Sequence, residues 1–124
     1  MSPKLVAVTT IRQGSDENPV EKTRAEIFLD TAIACASLDI KLVAVFKDCS
    51  DPYLKKLEER SVLLLQQQTR GILGVVRREA MEASVERFND AKYYLWLEPE
   101  KPTFPALAKN IISELDQVGA EFCF

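Results

Sequence analysis

Four short apolar segments, each separated from the next by a helix-like pattern, limit what this chain can fold into. They are KLVAVTT at residues 4–10, KLVAVF at 41–46, SVLLL at 61–65 and YYLWL at 93–97. Apolar residues at spacings of three and four predict helices over residues 20–38, 52–60, 74–89 and 104–118. Each connection is long enough to return the next strand parallel to the last. The alternation predicts a Rossmann-like three-layer α/β/α sandwich with a mainly parallel sheet of about four strands.

The composition narrows the class of protein. The chain has 124 residues, 47% hydrophobic and 28% charged, which suits one globular domain spanning residues 1–124. No apolar run approaches the roughly 20 residues that cross a bilayer, and the first ten residues lack a signal-peptide core. We therefore expect a cytoplasmic protein with no membrane span. A net charge of −3 argues against a general affinity for nucleic acid.

Two residue types restrict the chemistry. Histidine is absent, which excludes Ser-His and Cys-His pairs, His-ligated zinc and the usual proton shuttle at neutral pH. The three cysteines, Cys35, Cys49 and Cys123, are far apart and form no CxxC, so they indicate neither a zinc site nor a closed disulfide set. We expect buried or unused thiols in a reducing compartment. No residue is marked by its pattern as a catalytic base.

Two carboxylates follow the fourth predicted strand directly. Glu98 and Glu100 stand one residue apart in LEPEKP, at the edge of a parallel sheet where ligands bind. Side chains at i and i+2 of an extended segment point to the same side. The pair therefore predicts ligands for one divalent cation, or one ligand for a metal and one for a sugar hydroxyl. The alternative is an exposed acidic turn stiffened by Pro99 and Pro102.

Polar residues also follow the other three predicted strands. They are Thr9, Thr10 and Arg12 after the first strand, Asp48 and Ser50 after the second, and Gln66, Gln68 and Thr69 after the third. Gly71 and Gly74 then flank the start of a helix. A glycine beside a helix N-terminus suits a phosphate, although it is also typical of plain turn geometry.

The next two arginines allow two interpretations. Arg77 and Arg78 either approach such a phosphate or lie on the helix surface, paired with Glu79 or Glu82. The sequence alone leaves both open.

Several common α/β chemistries are excluded by missing motifs. The chain has no GxxxxGK[ST] and no GxGxxG after the first strand, so neither a P-loop nor the dinucleotide fingerprint is present. Response-regulator receivers carry paired acids after the first strand and an aspartate at the end of the third. Those places hold Thr9, Thr10 and Gln66 here.

Two segments in the middle of the chain resemble GT-A-fold, family-2-like glycosyltransferases. Residues 43–59, VAVFKDCSDPYLKKLEE, resemble the second strand and the DDGSxD loop of that family, with Asp48 and Ser50 matching. Residues 73–80, LGVVRREA, resemble the G-x-A-R-N helix start, with Gly74 and Arg77 matching. Lys47, Cys49 and Arg78 depart from the family pattern.

The resemblance extends to both sides of these segments. Residues 93–111, YYLWLEPEKPTFPALAKNI, resemble the strand, the DxD motif and the proline-led helix of the family, with Glu98 and Glu100 at the two aspartate positions. Residues 8–12, VTTIR, stand where those enzymes have their first nucleotide-contacting loop. The matching segments thus span nearly the whole chain in the family's order.

The resemblance implies a site for a nucleotide-diphosphate sugar at the carboxyl edge of the sheet. The implied residues are Thr10, Arg12 and Asp48 around the base and ribose, Arg77 near the diphosphate, Ser50 and Gly74 as motif residues, and Glu98 with Glu100 as ligands of Mg²⁺ or Mn²⁺. A divalent metal on oxygen ligands neutralises a diphosphate leaving group in that chemistry.

The family continues with an acceptor-binding half, and these 124 residues contain no counterpart to it. We therefore expect a minimal or truncated glycosyltransferase-like domain. Two alternatives remain open: an interaction or oligomerisation module that keeps the fold, and a small nucleotide-binding regulator. The apolar tail at residues 120–124 either offers a surface to a second copy or another partner, which suits the first alternative, or packs back on its own domain.

Overall fold

A computed structural model describes residues 4–13, 18–70 and 73–117. The elements in chain order are β1 (Leu5–Arg12), α1 (Pro19–Ser37), β2 (Lys41–Lys47), α2 (Asp51–Glu58), β3 (Val62–Gln66), α3 (Leu73–Arg87), β4 (Tyr93–Trp96) and α4 (Phe104–Gln117). The four strands pair in parallel in the order β3-β2-β1-β4. The α/β class, the parallel sheet and the Rossmann-like layering predicted from the sequence are confirmed.

The two faces of the sheet carry different numbers of helices. On one face Leu5 and Ala7 of β1 pack with residues of α1, α2 and α4, including Phe28 and Leu57. On the other face the valines of β1 and β2 pack against α3 through Ala80. Right-handed crossovers explain this arrangement, because β1 to β3 progress in one direction and the return to β4 runs the other way.

The ends of α1 are fixed by local chemistry. At its start the Asn18 side chain accepts backbone N–H groups of the first turn, and Pro19 follows at the first helical position. At its end the amide of Ile40 donates to the carbonyl of Cys35 at 2.9 Å, and Asp39 adopts a left-handed φ of 59°. These are the features of a Schellman motif with aspartate at the position where glycine is preferred.

The last turn of α4 is anchored at the amino edge of the sheet. Asp116 accepts hydrogen bonds from Lys92 Nζ and from the hydroxyl of Tyr93, both at 2.7 Å, and forms an ion pair with Lys4. Tyr93 is fully buried, so this bond satisfies a hydroxyl that water does not reach. These contacts of Asp116 lie at the amino edge of the sheet, away from the carboxyl edge.

The burial of several helix residues differs from the sequence expectation. Ile33 of α1, Val75 of α3 and Leu107 and Ile111 of α4 belong to predicted apolar faces, yet all four are exposed. Each helix rests on the sheet along one narrow stripe, and these residues lie beside it. Gly119, which the sequence predicts as the left-handed stop of the last helix, and the apolar tail at 120–124 lie outside the described residues. None of the helices in the described ranges is long and apolar enough to cross a membrane.

Candidate functional site

The strand order creates a switch point between β1 and β4. The chain leaves β1 toward β2 on one side, whereas β4 lies on the other side of β1. Ligands of open parallel sheets bind in the crevice outside the strand ends at such a point. Thr10 and Arg12 end β1, and Glu98 and Glu100 follow β4, so the topology brings these predicted site residues to one crevice.

A cavity of about 380 Å³ opens at this crevice on the side of α1. Its walls include Thr10 and Arg12 of β1, Arg24 of α1, Tyr53 of α2 and Glu100. The hydroxyl of Tyr53 donates to the backbone carbonyl of Ala25 at 2.9 Å. Burial, with a smaller contribution from Cys49, raises the pKa of Tyr53 well above its usual value, so the phenol stays neutral.

Glu98 lies on the side of α3. Its carboxylate is 3.9 Å from the guanidinium of Arg77, and that guanidinium also lies 4.9 Å from the centre of the Trp96 ring. Trp96 and Glu98 are two residues apart and face the same helix, as extended backbone requires. The contact with the ring fixes Arg77 near the carboxylate through a cation–π interaction.

Glu100 lies on the opposite side, toward α1. Its carboxylate is 3.7 Å from Nε of Arg24. The backbone turns at Pro99 and Glu100, and the carbonyl of Pro99 accepts the hydroxyl of Thr31 at 2.9 Å. The i and i+2 rule therefore does not apply here, because the segment is no longer extended. The two glutamates pair with arginines of helices on opposite faces of the sheet.

Asp48 reaches the crevice through Arg12. The Asp48 carboxylate lies 3.5 Å from Nε of Arg12, and both side chains are mostly exposed. Asp48 has a left-handed φ of 54°, a conformation that costs free energy for any residue with a Cβ atom. Its ion pair with Arg12, which lines the cavity, keeps Asp48 a candidate for the ligand site.

Ser50 and Gly74 occupy helix starts. The Ser50 side chain caps α2 by accepting the amide of Tyr53, and its own amide donates to the side chain of Gln13 at 2.7 Å. Gly74 is the second residue of α3, and among the described residues no atom beyond its own turn of the helix lies within 4 Å of where a Cβ would be. Packing therefore gives no reason for a glycine there. Neither residue lines the cavity beside Arg12.

The loop from β3 to α3 is held by Glu79. Its carboxylate accepts the amides of Gln68 and Thr69 at 2.8 and 2.9 Å, and also the hydroxyl of Thr69. Partial burial raises the pKa of Glu79, but the hydrogen bonds from Thr69 and Gln68 outweigh it and leave the pKa below its usual value. Glu79 thus binds the loop. It does not form the ion pair with Arg77 that the sequence left open.

Several residues of the crevice were not found from the sequence. Arg24 and Thr31 lie seven positions apart on α1, on either side of buried Phe28. Polar residues within an apolar helical stripe are the signal that marks them. The strand pattern marks Trp96 as a strand residue, and its position two residues before Glu98 predicts that both face one helix.

The crevice combines three arginine–carboxylate pairs with one cavity. Across the described residues, no group of three or more carboxylate, thiol or imidazole side chains is close enough to form a metal site. Arg12, Arg24 and Arg77 are the positively charged members of the three pairs, and guanidinium groups bind anionic ligands. No protein-family model matches the chain. A search of curated proteins likewise finds no significant relative.

Proposed function

We propose that this domain binds a nucleotide-diphosphate sugar at the carboxyl edge of its sheet, as a glycosyltransferase-like domain. The observation that carries the proposal is the meeting of Thr10, Arg12 and Glu100 around a cavity of about 380 Å³ at the switch point. That volume falls within the range of small-molecule sites, about 300–1,000 Å³. The base and ribose occupy this cavity in the proposal.

The arginines suit a diphosphate. The Arg12, Arg24 and Arg77 side chains are 74%, 64% and 44% exposed, and an exposed ion pair contributes only about 0–1 kcal/mol. Exchanging a carboxylate partner for a phosphate therefore costs little. Guanidinium groups bind phosphate oxygens through paired, charge-assisted hydrogen bonds. Arg77, held over Trp96, is the residue we assign to the diphosphate.

The donor set fits a divalent cation only together with the ligand. Glu98 and Glu100 contact arginines on opposite faces of the sheet, so they do not form a pair around one ion. Mg²⁺ typically uses one or two carboxylates together with substrate phosphates and water. Glu98, which shares Arg77 with the proposed diphosphate position, is the carboxylate suited to this role. A bound Mg²⁺ or Mn²⁺ would neutralise charge on the diphosphate.

Calorimetry with UDP and GDP, each with and without Mn²⁺, tests the proposal. We expect one of the nucleotides to bind with a dissociation constant between about 1 μM and 1 mM, and Arg77→Ala to weaken binding about tenfold or more because a charge-assisted hydrogen bond is lost. Arg87→Ala, which removes an arginine from the other end of α3, is the matched control. Absence of binding under all four conditions, or equal losses in both variants, would refute the proposal.

A further inference from the structure

The outer face of α3 carries a stripe of four residues at regular helical spacing. Val75, Arg78, Glu82 and Val85 follow one another at intervals of three, four and three, the spacing that lines one side of a helix in coiled-coil contacts. We call these four residues the outer stripe. The helix rests on the sheet through Val76, Ala80 and Ser84, which lie on its opposite side.

All four residues of the outer stripe are exposed. Val75 and Val85 are 43% and 44% exposed, which leaves two apolar side chains at the ends of one helical face. Within the described part of the chain, neither Arg78 nor Glu82 has an ion-pair partner. The stripe is thus available along its length.

The sequence of the outer stripe is complementary to its own reverse. We propose that two copies of this chain associate through antiparallel α3 helices, related by a two-fold axis level with Ala80. Val75 then packs against the other copy's position 85, and Arg78 pairs with the other copy's position 82. The same two contacts recur on the other side of the axis, as an isologous dimer requires. A parallel arrangement would instead place arginine against arginine and glutamate against glutamate.

The surface next to the outer stripe also accommodates a second copy. A groove of about 570 Å³ runs beside α3, with Val45 and Leu65 of the sheet in its lining. Val75 and Glu82 border the same groove. Side chains from a second α3 therefore have a depression beside the stripe to enter, with apolar residues in its lining and charged residues of α3 around them. The valines are small, which permits the close approach of two helices.

The expected association is weak. Stable interfaces bury about 800 Å² on each partner, and one short helix face supplies less than that area. We expect a dissociation constant on the order of 100 μM, which corresponds to a small-interface, reversible dimer. Nucleotide binding plays no part in this contact, so the dimer and the proposed function succeed or fail separately.

Charge reversal gives a direct test. In a dimer of Arg78→Glu, two carboxylates would face each other on each side of the axis. In a dimer of Glu82→Arg, two guanidinium groups would face each other at the same two contacts. Sedimentation velocity over a range from micromolar to near-millimolar protein should show self-association of the wild type and a loss of about tenfold or more in each variant. An equimolar mixture of the two variants should associate again, because every charged contact across the axis in the mixed dimer can then join glutamate to arginine.

Matched controls come from the other face of the sheet. Lys55→Glu and Glu58→Arg on α2 make the same changes in the sign of a charge away from α3 and should associate like the wild type. Circular dichroism on every variant checks that the fold is retained. A wild type that is monomeric throughout, reversals that associate normally, or a mixture that stays monomeric would each overturn the proposal.

Discussion

The hydroxyl of Thr31, in the second half of α1, donates to the backbone carbonyl of Pro99 at 2.9 Å, although the two residues are 68 positions apart. Thr31 is fully buried, so this bond is shielded from competition by water. It joins the helix that carries Arg24 to the turn that carries Glu100. The position of the acidic turn therefore depends on a residue of another element.

Replacing Thr31 by valine should loosen this turn. Thr31→Val keeps the shape of the side chain and removes the hydroxyl, so we expect a loss of about 0.5–1.5 kcal/mol in the free energy of unfolding. Urea denaturation measures this loss. Thr31→Ser retains the hydroxyl and should be less destabilised. A valine variant as stable as the wild type would show that this hydrogen bond does not contribute to the stability of the fold.

Gly74 should show opposite effects on stability and binding. Gly74→Ala fits the space available, since no described atom beyond the adjoining helix turn lies within 4 Å of the added Cβ. Alanine is favoured over glycine in helices by about 0.5–1 kcal/mol. Thermal and urea unfolding should therefore show a more stable protein. The added methyl group at the first turn of α3 should weaken nucleotide binding. Unchanged affinity would show that the ligand does not approach Gly74.

Replacing Asp39 by glycine should stabilise the fold. It occupies the left-handed position after α1 with φ of 59°, where a Cβ atom is unfavourable. We expect Asp39→Gly to raise the free energy of unfolding by about 0.5–1 kcal/mol. Asp39→Ala retains the Cβ and loses the polar group, and it should be less stable than the glycine variant. A glycine variant no more stable than the wild type would contradict this account.

Cys35 should be unreactive in the folded protein. Burial raises the pKa of its thiol to about 12 from an ordinary value of 9.0, and the side chain is 1% exposed. Labelling with a thiol reagent at pH 8, in a Cys49→Ser/Cys123→Ser variant, should proceed only as fast as the protein opens. Urea should accelerate the reaction. Rapid labelling under native conditions would show that the thiol is accessible.

The same thiol gives a prediction for the alkaline range. The folded pKa is higher than the unfolded one, so the unfolded state loses its proton first as the pH rises. The contribution of Cys35 to stability is complete below pH of about 9 and is lost progressively toward about 12. Cys35→Ala should remove this part of the decline in urea midpoint above pH 9.

The sequence predicted the elements well because each strand is a continuous apolar run. The predicted bounds of β2, residues 41–46, differ from the observed Lys41–Lys47 by one residue. Helix faces were less certain: Ile33 and Val75 fit an apolar period yet are exposed. Periodicity shows that a helix has an apolar side, but it does not show how wide a stripe the sheet covers.

The sequence predicted that some residues of the crevice would be neighbours, but it did not predict their contacts. The sequence placed Glu98 after a strand and Arg77 near the start of a helix, and their charged groups are 3.9 Å apart. The separate direction of Glu100 depends on the turn after Pro99, which an extended-strand rule does not describe. Arg24 enters the crevice only because α1 crosses above it, a relationship between distant residues that a single sequence does not record.

The uneven covering of the sheet affects how this protein resists aggregation. In the described part of the chain, α3 is the only helix packed on the face formed by Val6, Val8, Val43 and Val45. Local unfolding of this one helix would present four valines to solvent together, while the other face stayed covered. Resistance to aggregation is then governed by how often α3 detaches from the sheet. A substitution that raises the free energy of this local unfolding would extend shelf life even if the melting temperature hardly changed.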